Sequence, residues 1–257
     1  MRTGASEPEL ISDEAATIDR RTLTEEVAVV LALSLLHSAV DALLSLLEAP
    51  VTPSVAVALF PSLDLARQLV SIVFALAPVA LVLHLIRRSR EPWDAFGLST
   101  RAIGADVRWG LVLAAAVSAA GLGLYLGAIA LDVNRSVIPV PPLGHWWTIP
   151  VLVFGSAQNA LLEEVIVVGY LIRRLRQLGV GGAAALATSA VLRGSYHLYQ
   201  GWGGFVGNLL LGLLFGWIFL RWRRTWPLVV AHFLIDTAAG VAYIAARGHC
   251  FFGLCIR

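Results

Sequence analysis

The feature that constrains this chain most is a series of apolar blocks, each about 20 residues long. A helix of that length crosses the roughly 30 Å of hydrocarbon in a bilayer. Composition agrees, because 58% of the 257 residues are hydrophobic, 14% are charged and the mean hydropathy is +0.78. A soluble domain is nearer to about 45–50% apolar and about 25% charged. Backbone groups in lipid must be satisfied within the segment or barrel, so these blocks predict helices.

We predict an all-α polytopic transmembrane helix bundle of about seven spans. The predicted spans are 27–47, 68–86, 108–131, 148–172, 183–200, 204–220 and 226–246. Residues 1–26 are polar and acidic, do not have the pattern of a signal peptide, and are expected to form a disordered tail. Residues 27–246 are expected to form one transmembrane domain, followed by a C-terminal tail at 247–257.

Arginines in the connections predict the orientation, because positively charged loops favour the cytoplasmic side. Three alternate connections share one side and hold eleven arginines: Arg87, Arg88, Arg90, Arg101, Arg108, Arg173, Arg174, Arg176, Arg221, Arg223 and Arg224. The opposite connections and the tail hold four: Arg67, Arg135, Arg247 and Arg257. We therefore expect a multi-pass protein of a bacterial cell membrane, with a cytoplasmic N-terminal tail and an external C-terminal tail. Cys250 and Cys255 would face an oxidising space, where a disulfide and two unlinked thiols both remain open.

Three predicted spans carry polar residues in the middle of apolar sequence. Glu163 and Glu164 stand side by side in the fourth span, where a charge at the bilayer centre costs about 2.5–3.5 kcal/mol. Two further pairs are spaced one helical turn apart, namely Arg193 with His197 and His232 with Asp236. Ionisable residues inside a membrane indicate a functional site.

The residue types in this set indicate hydrolysis of an amide by an activated water. A glutamate in a low-dielectric site can act as a general base, and a histidine can share a water with it or bind a metal. A second histidine with an aspartate can stabilise an oxyanion or complete a metal site. The same residue types also hold membrane helices together, and that structural interpretation remains open.

At these residues the chain resembles the CAAX-processing and bacteriocin-processing (CPBP) intramembrane endopeptidases, also called type II CAAX prenyl endopeptidases. That family carries Glu-Glu-x-x-x-Arg, Phe-x-x-x-His and His-x-x-x-Asn or Asp on successive helices. Glu163-Glu164 matches the start of the first motif, and His197 matches the end of the second. His232 and Asp236 match the third in full. The order of the motifs along the chain also agrees.

The resemblance implies a role for each matching residue. Glu163 would activate the water, and His197 would position that water or bind a metal. His232 and Asp236 would stabilise the oxyanion or complete the metal site. A metal would be a loosely held divalent ion such as zinc, bound through His197 and His232, and the resemblance leaves metal-dependent and glutamate-type chemistry open.

Two positions depart from the family pattern within the similar region, which covers about 148–246. Val168 replaces the Arg of the first motif, and Arg193 replaces the Phe of the second. The positive charge has moved to the next motif helix, so we expect Arg193 to pair with Glu164 or Glu163 and to support the site. Asn159 lies four residues before Glu163 and is expected to share its face in a supporting role.

Three functions remain open from the sequence alone. The first is an intramembrane endopeptidase that cleaves a membrane peptide or a lipidated protein at the lipid bilayer. The second is a proton-coupled transporter that uses the same polar network, although no repeated half is visible. The third is a catalytically silent membrane scaffold. The oligomeric state stays open, and the net charge of +2 is too small to indicate a nucleic-acid partner.

Overall fold

The computed structural model describes residues 19–36, 38–39, 42–43, 61–130, 143–246, 250–251 and 254–255. Its α-helices are α1 (Arg20–Leu31), α2 (Pro61–Ala75), α3 (Ala77–Arg88), α4 (Ile103–Ala130), α5 (Thr148–Leu161), α6 (Leu171–Gln177), α7 (Gly182–Ser195), α8 (Trp202–Trp222) and α9 (Trp226–Ala246). Short 3-10 turns cover Trp93–Phe96 and Leu198–Gln200, and π-helical segments cover Ala32–Leu36 and Leu162–Tyr170. Two-residue strands, β1 (Cys250–Phe251) and β2 (Leu254–Cys255), pair antiparallel. The predicted helical class is confirmed.

Five helical stretches of the described chain are long and apolar enough to cross a membrane: Ser62–Arg88, Ile103–Gly123, Thr148–Gln177, Trp202–Trp222 and Trp226–Ala245. They support a multi-pass membrane protein, while the predicted count of seven is not confirmed. The predicted span 27–47 lies partly outside the described residues. The predicted span 183–200 corresponds to α7, whose 14 residues reach only about 21 Å. A short helix therefore stands where a full crossing was expected.

The N-terminal tail expected at 1–26 must be shortened, because α1 already begins at Arg20. Two contacts fasten this helix to α6. Arg20 donates to the carbonyl of Leu178 at 2.6 Å, and Glu26 lies 4.0 Å from Arg174. The sequence predicts a solvated tail for these polar residues. In the structure Glu26 lies near Arg174 of α6, and Arg20 bonds to the residue that follows α6. Residues 1–18 lie outside the described part of the chain.

The second predicted span is broken near its proline. Pro78 stands in the first turn of α3, and Leu76 separates that helix from α2. Proline has no N–H and clashes with the carbonyl four residues earlier, so it begins a new helix more readily than it continues one. The two helices together form one stretch, Ser62–Arg88.

The nine-residue π-helical segment Leu162–Tyr170 is the centre around which the helices pack. It contacts α3, α7, α8 and α9. Helix α9 packs against α4 and α5, and α8 packs against α7. Residues 163–170 are all buried, so this segment has no face left for lipid.

The loop between α3 and α4 holds the start of α9 in place. Thr225 donates its backbone N–H to Gly97 at 2.9 Å and its hydroxyl to Phe96 at 2.8 Å. Gly97 has φ +69°, and a Cβ there would stand 2.7 Å from the Thr225 nitrogen, so both conformation and space require glycine. Arg224 pairs with Asp106 of α4, and this carboxylate raises the pKa of the Arg224 side chain. The start of α9 is thereby fixed relative to the π-helical segment.

A buried arginine, Arg174, joins the same loop to α6. Arg174 is fully buried, pairs with Glu91, and lies 5.0 Å from the ring centroids of both Phe96 and Tyr170. Burial acts to raise the pKa of Glu91, but Arg174 and its neighbours outweigh it and hold that pKa below 4.5. A cation–π arrangement between two rings suits a desolvated guanidinium.

Candidate active site

The π-helical segment presents Glu163 and Glu164 at the middle of the bundle. Glu163 is 7% exposed and Glu164 is fully buried. A π-helix bonds each residue to the fifth one along, and such segments are frequent at functional sites. The buried hydroxyl of Ser189 on α7 donates to the carbonyl of Val167 at 2.7 Å. This bond ties α7 to the segment that carries both carboxylates.

Arg193, on α7, lies between the two carboxylates as the sequence predicts. Its Nη1 donates to Glu164 Oε1 at 2.7 Å, and its Nη2 lies 3.1 Å from Glu163 Oε2. The guanidinium is fully buried and stands 5.8 Å from the ring centroid of Phe215 on α8. A buried charge requires partners, and here one cation serves two anions. The predicted pairing of Arg193 with the glutamates is confirmed.

His197 lies in the turn that follows α7. Its Nδ1 stands 2.9 Å from the carbonyl of Arg193, and because a carbonyl only accepts, Nδ1 must carry the proton. This tautomer leaves the Nε2 lone pair free. Nε2 faces Glu163 Oε1 at 3.9 Å, which is too long for a direct hydrogen bond. Two acceptors at that separation suit a water that donates one hydrogen to each.

His232, on α9, stands between two carboxylates. Nδ1 lies 2.8 Å from Glu164 Oε1, and Nε2 lies 3.3 Å from Asp236 Oδ2, one turn along the same helix. A carboxylate accepts hydrogen bonds, so the ring is best satisfied when both nitrogens carry protons. The Asp236 side chain is 34% exposed, whereas that of His232 is 5% exposed. The site therefore opens on the Asp236 side.

The structure brings together six of the seven residues that the sequence analysis selected. They are linked in a continuous chain of contacts: Asp236, His232, Glu164, Arg193, Glu163 and His197. Asn159 is the exception, because it is exposed. It lies near the end of α5, just before the π-helical segment that carries Glu163.

A group of three buried residues could supply metal ligands. Glu163, Glu164 and His232 offer ligand atoms that all lie within 4.8 Å of one another. Carboxylate oxygen and imidazole nitrogen suit zinc, but the expected partner of His232 was His197, which is outside this group. Arg193 contacts both carboxylates and lies 3.4 Å from His232 Nδ1. A divalent ion bound by these three residues would have to displace that guanidinium or share the carboxylates with it.

Tyr196 is a member of the site that the sequence analysis did not select. It is 7% exposed, and its ring centroid lies 4.9 Å from that of His197. Glu163 is the charged side chain that acts most strongly on its hydroxyl. The signal available in the sequence is its position immediately before His197, which does not show on which side of the helix end the ring packs.

Comparison with known families supports the resemblance that the motifs indicate. Residues 145–238 match the model of the type II CAAX prenyl endopeptidase Rce1-like family. The match covers less than half of the chain, from the residues just before α5 to the part of α9 that carries His232 and Asp236. Comparisons with curated proteins and with solved structures give no significant match. The polar cluster and the family match coincide, so the part of the chain that is similar to the type II CAAX prenyl endopeptidase Rce1-like family, residues 145–238, is the part that carries the candidate site.

Proposed function

We propose that this protein is an intramembrane endopeptidase that hydrolyses a peptide bond of a membrane-associated substrate, with Glu163 and His197 activating the water. The observation that carries the proposal is the 3.9 Å separation between Glu163 Oε1 and His197 Nε2. Both atoms are acceptors in the tautomer that Arg193 imposes on His197. A water held between them has its lone pairs directed away from both, towards a substrate.

The reaction needs one proton transfer in each direction. As the water oxygen adds to the scissile carbonyl carbon, Glu163 takes a proton from the water. The carbonyl oxygen becomes an oxyanion. Glu163 then returns the proton to the amide nitrogen, the C–N bond breaks, and a new carboxyl terminus and a free amine leave the site.

The oxyanion would be stabilised from α9. His232 Nε2 faces Asp236 on the more exposed side of the site, where a substrate carbonyl can approach. In a doubly protonated ring the Nε2–H would be shared between Asp236 and the developing oxyanion as a charge-assisted hydrogen bond, while Glu164, through Nδ1, and Asp236 orient the ring. Arg193 and Glu164 support these groups, because Glu164 accepts from both Arg193 and His232 through Oε1.

The alternative is a divalent metal held by Glu163, Glu164 and His232. Such an ion would polarise the scissile carbonyl and lower the pKa of a bound water. Arg193 already supplies a positive charge between the two carboxylates. We therefore propose the glutamate-type reaction, in which a zinc chelator leaves cleavage unchanged.

We also propose that the N-terminus of the protein faces the cytoplasm and its C-terminal tail the outside. The arginine-rich connections would face the cytoplasm, and the described α1 packs against α6 on that side. The name of the matching family indicates CAAX-type substrates, and we propose a peptide that reaches the membrane surface as the substrate.

The experiment is peptide cleavage by the purified protein in lipid. A library of membrane peptides and prenylated peptides is incubated with it, and products are identified by mass spectrometry with and without a zinc chelator. New peptide termini in both arms support a glutamate-type protease. Termini lost with the chelator and restored by zinc would support the metal alternative. Binding without cleavage would favour a scaffold, and proton flux into proteoliposomes would favour a transporter.

A further inference from the structure

Tyr196 is a buried phenol whose hydroxyl has no hydrogen-bond partner among the described residues. Its side chain belongs to the core around the π-helical segment, and 7% of the residue is exposed. A buried hydroxyl without a partner is unfavourable, because it loses its hydrogen bonds to water. Each such group in a native structure needs an explanation.

A second unsatisfied oxygen belongs to Glu163. Glu163 Oε2 is buried and has no hydrogen bond within the described residues, although it lies 3.1 Å from Arg193 Nη2. Glu163 is also the charged side chain that acts most strongly on the Tyr196 hydroxyl, and a Coulombic interaction is strongest between groups that lie close together. A phenol can donate and a carboxylate can accept, so the two groups are chemically complementary.

Tyr196 is also next to a second residue of the site along the chain. It immediately precedes His197, and the two rings pack with their centroids 4.9 Å apart. Tyr196 therefore packs against His197 and interacts with Glu163, the two residues that hold the water in the proposed reaction. The final torsion of a glutamate side chain is broad, so a carboxylate needs partners to fix its orientation.

We propose that Tyr196 is a positioning residue: its hydroxyl donates to Glu163 Oε2 and so turns Oε1 towards the water and His197. This inference rests on the proposed function. This bond holds the carboxylate in the orientation that accepts the proton. Tyr196 acts through Glu163, so its hydroxyl affects turnover and leaves substrate binding unchanged.

The test is the substitution Tyr196→Phe, which keeps the ring and removes one oxygen. The matched control is Tyr170→Phe. Tyr170 is 1% exposed and its hydroxyl is also without a hydrogen-bond partner among the described residues. It packs against Phe96 and Arg174, outside the site. Tyr196→Phe is expected to lower kcat by roughly 10- to 100-fold, the range for a hydrogen bond to a charged group, with KM unchanged. Tyr170→Phe is expected to keep both constants.

The outcomes distinguish the positioning role of Tyr196 from the proposed endopeptidase function. Wild-type kcat in Tyr196→Phe, an equal loss in both tyrosine variants, or a raised KM with unchanged kcat overturns the positioning role while the protease remains. An unfolded Tyr196→Phe protein shows a structural hydroxyl and overturns it too. If the wild type cleaves no peptide, or Glu163→Gln cleaves as well as the wild type, the proposed function fails and this inference falls with it.

Discussion

Removal of the Arg193 charge should destabilise the protein strongly. The burial of this charge and its two contacts indicate how large the loss of folding free energy is. The guanidinium contacts Glu164 at 2.7 Å and Glu163 at 3.1 Å, and all three side chains are nearly or fully buried. Arg193→Met keeps a long apolar chain but leaves two adjacent carboxylates in a low-dielectric interior. Breaking a buried ion pair by removing one partner costs about 3–5 kcal/mol. Both contacts share one guanidinium, so this cost is not doubled.

The assay is thermal unfolding in detergent, followed by the fluorescence of the eight tryptophans. The control is Arg101→Met, because Arg101 has an 88% exposed side chain and lies 3.7 Å from Asp94. An exposed ion pair contributes about 0–1 kcal/mol. Arg193→Met is expected to unfold at a clearly lower temperature than the wild type. Arg101→Met is expected to unfold at nearly the same temperature as the wild type. Equal midpoints for the two variants would refute the account of the buried pair.

The same measurement can test the exchange of charge between motifs. The double substitution Val168→Arg with Arg193→Phe restores the pattern of the family in both motifs. Val168 is fully buried and belongs to the same cluster as Phe215, the ring that Arg193 faces. An arginine from position 168 is therefore expected to recover part of the stability that Arg193→Phe loses. Coupling of this kind between contacting residues is about 0.5–3 kcal/mol, and strictly additive losses would contradict the exchange.

Two further predictions concern the scaffold. The pKa of Glu91 is held low in the folded protein, so its stabilising pair with Arg174 is present at neutral pH and is lost as the pH falls below 4.5 towards the folded pKa. The difference in unfolding temperature between the wild type and Glu91→Gln should therefore shrink over that range. A difference that stays constant would contradict this prediction. Gly110 on α4 packs against α9, where an added Cβ would lie 2.6 Å from Val230, whereas one at Gly121 meets nothing within 4 Å. Gly110→Ala should therefore lower the midpoint and Gly121→Ala should not, and equal effects would show that α4 and α9 do not pack this closely.

The polar site could be predicted from the sequence because placing its charged residues within the membrane costs free energy. A lone apolar residue carries little information, but Glu163, Arg193 and His232 each interrupt an apolar block. Charges in such blocks are expected to face one another. That reasoning also predicted the pairing of Arg193 with the glutamates, which the structure confirms.

The local winding could not be predicted in the same way. Apart from its few polar residues the fourth span is apolar on every side, so its hydrophobic pattern fits an α-helix and a π-helix equally well. The sequence therefore did not show that the winding changes at Leu162. Position 197 was also assigned to a helix, whereas α7 ends at Ser195 and His197 lies in the following turn. Gly201, with φ +89°, then allows α8 to begin in a new direction.

Tyr196 illustrates a second limit of sequence reasoning. Tyrosines are common at membrane interfaces, where the ring is in lipid and the hydroxyl reaches water. Tyr196 instead packs in the core, where its hydroxyl has no hydrogen-bond partner among the described residues. Burial and an unsatisfied oxygen are properties of the packed structure, so no pattern in the sequence reveals them.

The measurement that tests the central claim most directly compares cleavage by wild type and Glu163→Gln, with Glu25→Gln as the matched carboxylate control. The Glu25 side chain is 63% exposed and pairs with Arg21 on α1, away from the site. Loss of the general base should lower the rate by about 100-fold or more, with folding retained and peptide binding unchanged. Glu25→Gln should cleave as the wild type does. Cleavage by Glu163→Gln at the wild-type rate would contradict the account, because the water would then be activated by another group.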